Sequence, residues 1–392
     1  MKKFFFLLVS VFSVLVCNAD LWTRKADFPG GPQENANGFT IGNKAYVLCH
    51  SNQIWEYSPD IDTWVQKSNT PFTSSLPIGV GIGSYGYVYS DSGNQFWRYD
   101  PIADTWARKS DLPGLYRLFP VSFVIGNKAY FGGGECYILT GTGSTILFDG
   151  GFFSYDPSTN LWDSLTSIPC VFYGASGFVA NGKGYVTGIL DTNSLVPTIS
   201  PCVYEYDPVS NNWTQKANFP GKARTDATSF SIGNIGYFGI GDTGTGGVFK
   251  DLWQYNAYTD MWTSMDTIPC IDGKDQDASF SVNYKGYICF GSDMNPDAEI
   301  WEYTPDSVNS THVIDENAGT IQPKLAPNPA TTTFKISSQY PINQITITNL
   351  LGQIVFTKYY QKDEAEVDVS QFSNGMYFVT VNGTEISKFI KK

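Results

Sequence analysis

All ten tryptophans of the chain recur in only two local contexts, and that recurrence constrains the fold more than any other feature. Six of them, Trp22, Trp64, Trp106, Trp162, Trp213 and Trp262, are each followed seven residues later by proline, as in WTRKADFP and WTQKANFP. The other four sit in an aromatic pair before a turn, as in IWEYSP and FWRYDP, a pattern that FFSYDP and VYEYDP keep without tryptophan. The second aromatic of that pair is Tyr57, Tyr99, Tyr155, Tyr206, Tyr255 or Tyr303. A third series, Tyr46, Tyr87, Tyr130, Tyr185, Tyr237 and Tyr287, follows turns such as IGNKAY and ANGKGY, where Asn and Gly supply the positive φ of a tight hairpin.

The intervals separate scaffold from insertion. From Trp to the hairpin Tyr is 23 to 25 residues in every repeat, and from the paired Tyr to the next Trp it is always 7. Only the step from hairpin Tyr to paired Tyr varies, running 11, 12, 25, 21, 18 and 16 residues, so the insertions all fall in one loop of the unit. A repeat of 42 to 56 residues made of short strands and turns reads as a four-stranded propeller blade. Trp22 has no paired Tyr before it and Tyr303 has no Trp seven residues later, so the N-terminal strand is expected to complete the blade begun near Asp275. The fold expected is all-β: a six-bladed β-propeller closed by the N-terminal strand. Composition agrees, because aromatics make up 16% of the chain and 38 Gly with 21 Pro leave little room for long helices. The repeat aromatics are assigned to structure.

The chain ends read differently. Lys2 and Lys3 precede an apolar run from Phe4 to Cys17, and small residues follow at Asn18 and Ala19, the pattern of a secretory signal peptide over residues 1–19. Val16 is branched where a lipidation site at Cys17 would need a small residue. No later run approaches the length of a transmembrane helix. Residues 20–305 carry the repeats, 306–324 form a polar linker, and 325–392 alternate as a small β-sandwich with turns at Gly352, Asn374-Gly375 and Asn382-Gly383. The net charge of -12 argues against a nucleic-acid partner. Six cysteines remain beyond the signal, Cys49, Cys136, Cys170, Cys202, Cys270 and Cys289; in an exported protein they permit up to three disulfides, with buried thiols as the alternative. They show no metal-ligand spacing, so neither metal nor cofactor is expected.

The Tyr and Trp at fixed separation, with the Gly-rich second strand, resemble the kelch repeat over residues 20–305, although the double glycine of that repeat is clear only at Gly132-Gly133. The tail resembles the type A C-terminal sorting domain of the type IX secretion system of Bacteroidota. The resemblance rests on Ala326-Pro327-Asn328-Pro329-Ala330, Asn349-Leu350-Leu351-Gly352-Gln353, Val367-Asp368-Val369-Ser370, Gly375-Met376-Tyr377 and the terminal Lys388-Phe389-Ile390-Lys391-Lys392. It implies export across both membranes, the type IX machinery as a partner, and release or display at the surface, with the tail commonly cleaved.

Function is sought on the face that carries the long loops of blades three to five. Aligned on their hairpins, the innermost strands place Gln33, Ser74, Arg117, Phe172, Arg224 and Lys274 at equivalent positions, with Asp226 and Asp277 just after them and Asp242 and Asp293 in neighbouring loops. Such a ring reads as a clamp for a carboxylate or a sugar through charge-assisted hydrogen bonds, or else as surface ion pairs of little weight. The leading expectation is a monomeric propeller binding a glycan or protein ligand. Galactose oxidase shares kelch repeats but needs histidines on copper, and this chain has only His50 and His312. Six-bladed kelch propellers also include sugar mutarotases, so a carbohydrate-modifying enzyme of mutarotase or epimerase type is the alternative, and a purely structural surface protein the third reading.

Overall fold

The structure, a computed structural model, describes residues 22–33, 35–49, 52–140, 143–169, 174–191, 198–244, 247–270, 274, 278–291, 297–305, 324–349, 354–381 and 384–392. The signal-peptide segment, the linker from 306 to 323, Phe172, Asp277, Asp293, Gly352, Cys170 and both histidines lie outside the described residues.

Every described repeat folds into one four-stranded antiparallel sheet. The first sheet runs Asn37–Ile41, Lys44–Leu48, Ile54–Ser58 and Thr63–Gln66 from its inner to its outer edge. Four more sheets begin at Ile78–Ile82, Val121–Ile125, Ser176–Ala180 and Thr228–Ile232. The last begins at Ala278–Val282, continues through Lys285–Cys289 and Ile300–Tyr303, and takes its outer strand from the N-terminus: Trp22–Arg24 pairs antiparallel with it, Trp22 opposite Tyr303. Inner strands of successive sheets pack side by side, and the strand at Ala278 packs on the strand at Asn37, which closes the ring.

The first hairpin of each sheet shows why the turn residues recur. Gly42, Gly83, Gly126 and Gly233 take positive φ as the first turn residue, whereas Asn181-Gly182 and Asn283-Tyr284 take it at both positions. Six apolar clusters follow, and each lies between two neighbouring sheets rather than at the axis. In one of them Tyr57, Val47 and Cys49 of the first sheet meet Phe280 and Tyr287 of the last. The repeat tryptophans sit in or against these wedges; Trp106 packs edge-on to Phe72 and beside Tyr99, at centroid distances of 5.8 and 4.8 Å.

A recurring latch joins consecutive sheets. The paired tyrosine donates its hydroxyl to an Asp or Asn five residues on: Tyr57 to Asp62 at 2.7 Å, Tyr99 to Asp104 at 2.6 Å, Tyr155 to Asn160 at 2.7 Å and Tyr206 to Asn211 at 2.9 Å. Those acceptors hold left-handed backbone and also take an N–H from the segment leaving the previous sheet, as Asp104 does from Ser68 at 3.1 Å and Asn160 from Ser110 at 3.2 Å. Beside each latch the repeat tryptophan donates its indole N–H to the same segment, Trp162 to Ser110 O at 2.8 Å and Trp213 to Thr166 O at 2.9 Å. The indole of Trp64, at the seam where the ring closes, is buried without such an acceptor.

No disulfide joins two described cysteines, which corrects the allowance for three bridges at least for that subset. Cys49 is a buried free thiol in a wedge and Cys136 one in the inserted hairpin, opposite Arg117; burial pushes the Cys49 thiol up to about 12. Among strand-lined wedges a small apolar side chain fills space, which is the ordinary use of an unbridged cysteine.

The C-terminal unit is one continuous sheet folded over its own core. It has two long strands and three shorter ones. Thr333–Asn349 and Ile354–Asp368 pair along most of their length, with register shifts between Ser337 and Gln344 where the pair bends. The first half of Thr333–Asn349 also pairs with Lys324–Ala326 and the second half with Gly375–Val381, which in turn pairs with Thr384–Lys391. Phe334 and Ile336 from one half meet Ile345, Ile347, Val379 and Phe389 from the other in a single core.

Candidate functional site

The inner strands line a central channel of about 460 Å³. Their first and third residues pack into the wedges, so the second and fourth face the axis. In the second tier these are Gly38, Gly79, Ser122, Gly177, Ser229 and Ser279, all small. Size is dictated by the approach of neighbouring sheets: a Cβ on Gly81 would stand 1.8 Å from Thr40 O, inside any allowed contact. The edge carbonyls that the inner strands turn toward each other find side-chain donors across the gap. Thr40 donates to Ser281 O at 2.7 Å, Ser229 to Gly177 O at 2.8 Å and Ser279 to Ser229 O at 3.2 Å, while Asn37 accepts from Gly79 N at 2.7 Å. A sheet edge that would otherwise lie open is thereby closed by its neighbour's hydroxyls.

The aligned cations do not face this channel. Arg117, Arg224 and Lys274 are 0%, 1% and 1% exposed. Arg117 donates to Gly133 O at 3.1 Å and Gly151 O at 3.2 Å and reaches Asp149 at 3.3 Å. Arg224 donates to Ile240 O and to Asp251, both at 2.9 Å, with the Phe249 ring 4.0 Å from its guanidinium carbon. Lys274 pairs with Asp297, and Ser74 donates to Asp91 in the same way. Burial alone would raise Asp251, but hydrogen bonds from Arg224 and Trp253 hold it below the usual carboxylate range. These four side chains therefore tie each incoming segment to the loop between the second and third strands of its own sheet. Gln33 does related work through its backbone, which bonds to Asp297 O at 3.3 Å. The clamp formed by these cations is withdrawn for that reason: their charge is neutralised inside the scaffold.

The positions that do reach the channel lie two residues further on. Asn35, Leu76, Phe119, Gly174 and Asp226 line its mouth, each two residues before the inner strand begins. Four of them hold left-handed backbone, with φ of 55° at Asn35, 52° at Phe119, 63° at Gly174 and 49° at Asp226. Nothing in the repeat spacing marks Asn35, Leu76, Phe119 or Gly174, and among the described residues Asp226 is the one member of the expected ring at the mouth. Its carboxylate accepts only from Thr225, at 3.3 Å among the bonds described, and its backbone N–H donates to Gly174 O at 3.0 Å. Burial, the nearby Asp242 and Glu135 raise its carboxyl to about 6. Asp242 bridges Thr225 and Val248 and so belongs to the neighbouring loop wall.

Two insertions are built elements rather than loose loops. In the third sheet Glu135–Thr140 and Gly143–Phe148 form a hairpin that pairs back onto Arg117–Leu118. In the fourth, Ile189–Asp191 pairs with Thr198–Ser200. In the last four sheets the residue that follows the second strand, Gly133, Gly188, Ile240 or Phe290, is again left-handed, and only two of these are glycine, so the double glycine of the repeat is only partly kept.

The sorting residues of the tail form a second constellation. Asn328 spans the terminal strand with its carboxamide, donating to Lys388 O at 2.9 Å and accepting from Ile390 N at 3.0 Å. Ala330 and Lys392 exchange further backbone bonds with that strand. Pro327 and Pro329 flank Asn328, each after a cis peptide bond. Tyr377 donates to Ser373 O at 2.8 Å and stacks on Phe389. Lys388 and Lys392 are exposed, whereas Lys391 is turned inward at 7% exposure, so the basic terminus presents two lysines rather than three. Gly375 begins the strand opposite Lys391. Residues 324–392 match the family of the secretion system C-terminal sorting domain. They are a type IX sorting domain. That domain marks the protein for export and attachment at the cell surface or outer membrane, and the type IX machinery is its partner. Among solved structures, that of YjhT is similar at 15% identity with a TM-score of 0.57, over 70% of this chain and 95% of its own. That likeness supports the propeller fold alone. No curated protein matches the chain. Among the described residues no helix is long and apolar enough to cross a membrane.

Proposed function

We propose that the chain is a kelch-type propeller, freed of a signal peptide after Ala19 and displayed or released by the type IX route, that binds a carbohydrate at the channel mouth on the face of the long loops. The observation that carries this reading is Asp226: a partly exposed carboxylate in left-handed backbone, at the mouth of a polar channel and bordered by built hairpins. A concave polar site with few charged groups suits a neutral or weakly charged polyol. Asp277 and Asp293 belong to the same proposal on sequence grounds. Titration of the full mature chain against glycans, with Asp226→Ala alongside, tests it; saturable binding lost in the variant is expected, and binding equal in both proteins would move the site elsewhere.

A second reading is favoured by the same carboxyl. A group titrating near 6 is suited to proton transfer at neutral pH, as an isomerase or epimerase acting on a bound sugar would need. Turnover of a bound glycan, followed by proton NMR of its anomeric signals, separates this reading from simple binding.

A further inference from the structure

The channel mouth has a one-sided polarity. Among the described residues that line the channel, Asp226 is the only charged one. The three cations of the neighbouring positions are withdrawn and paired with Asp149, Asp251 and Asp297. The loops between second and third strands, residues 91–94, 134–151, 188–202, 240–251 and 290–299, hold nine acidic residues against the single base Lys250, whose ammonium donates to Cys270 O at 2.9 Å. Segments 271–273, 275–277 and 292–296 add no lysine or arginine in their sequence.

Three of the lining hydroxyls have the same bias. Thr40, Ser229 and Ser279 direct their protons at carbonyls of the neighbouring sheets, so what they can still offer a ligand is lone pairs. Asp226 is an acceptor when ionised, and Asp242 and Glu135 deepen the negative potential around it. With one carboxylate and no cation among the described residues that line it, the channel repels a carboxylate and rewards a ligand that brings a charged donor.

We propose that the mouth of the channel recognises a sugar bearing a free, protonated amino group, with the ammonium on Asp226 and the ring hydroxyls donating to the Ser and Thr tiers. The proposal rests on the carbohydrate-binding reading above and gives it a substrate class. It reverses the acidic-sugar clamp that the aligned Arg and Lys positions suggest. The distinction lies in which side chains reach the ligand, not in how many charges the repeats carry.

Calorimetric titration of the full mature chain with three oligomers tests it: β-1,4-linked glucosamine, its N-acetylated counterpart, and galacturonate. The amino oligomer is expected to bind at least about tenfold more tightly than either of the others, as a charge-assisted bond in a confined site allows. Asp226→Asn, whose amide tolerates the left-handed backbone, should erase that preference while leaving the circular dichroism spectrum unchanged. Asp242→Asn should reduce it less. Equal binding of the N-acetylated oligomer, unaffected by Asp226→Asn, would overturn the amine assignment and leave a carbohydrate site standing. Tighter binding of galacturonate would overturn it outright. Failure of all three oligomers would remove the carbohydrate reading itself, and capture of a lysine-rich peptide in their place would put a protein ligand at the mouth.

Discussion

Asp226 occupies a position that stability alone would fill differently. Its carboxyl is raised above the unfolded value by burial and by Asp242 and Glu135, so the folded state holds its proton more firmly than the unfolded chain does. Its contribution to stability therefore falls as pH rises from near 4 through about 6, and at neutral pH the ionised group works against folding. Asp226→Asn removes that penalty in a left-handed site that suits Asn, and is expected to stabilise the protein by about 1–2 kcal/mol at pH 7, with the gain gone at pH 4, in paired urea titrations. A gain accompanied by loss of ligand is the pattern of a residue kept for function. Arg224 should behave oppositely. Arg224→Met leaves the half-buried Asp251 with the Trp253 indole N–H but without its guanidinium, and an unfolding midpoint lowered by the equivalent of about 2–3 kcal/mol is expected. The repeat spacing made Arg117, Arg224 and Lys274 equivalent in the sequence, and they are equivalent in the structure. What spacing could not convey is direction: the left-handed Phe119 and Asp226, two positions after Arg117 and Arg224, turn the chain so that the guanidinium groups fold inward and the Asp226 carboxylate lies at the channel.

The latches of successive sheets offer a comparison free of size effects. Trp162 and Trp64 are the same repeat position, but only Trp162 donates its indole N–H across a sheet boundary. Trp162→Phe should therefore cost about 1 kcal/mol more than Trp64→Phe in equilibrium denaturation, the usual net value of one hydrogen bond. Asp104→Ala removes the acceptor of three donors, the Tyr99 hydroxyl and the N–H and hydroxyl of Ser68, and a loss of about 2–3 kcal/mol is expected, against a smaller one for Asp104→Asn. Strands, hairpins and insertion points of the propeller were legible because aromatic positions recur at fixed intervals. The latches were half visible: Asp62, Asp104, Asn160, Asn211 and Asp260 all stand five residues after a paired tyrosine, a spacing open to inspection but without an evident purpose until the previous sheet is placed beside it. The tail was less legible. Alternating residues report which face a strand buries, and they do not tell one long strand, as at Thr333–Asn349, from two short ones in succession.

For the whole molecule the decisive contact is the strand pair of Trp22–Arg24 with Ile300–Tyr303. Deleting residues 20–26 strips the last sheet of its outer strand and exposes the Tyr303 wedge, and a broad, non-cooperative thermal transition in place of a single sharp one is the expected result by scanning calorimetry. At the other end, removing Lys388–Lys392 takes away the strand that Asn328 spans, and the protein is expected to accumulate in the periplasm rather than at the surface in fractionated cells. The pairing of Trp22 with Tyr303 also imposes an order in time. The two partners are 281 positions apart along the chain, from 22 to 303, and each of the other four-stranded sheets of the ring is assembled from a single stretch of chain. A chain that leaves the ribosome with its first residues ahead must carry that opening segment unmatched until nearly the last repeat has been made, so the ring is the final thing to be completed, and anything that still holds the front of the chain holds back the closing of the whole.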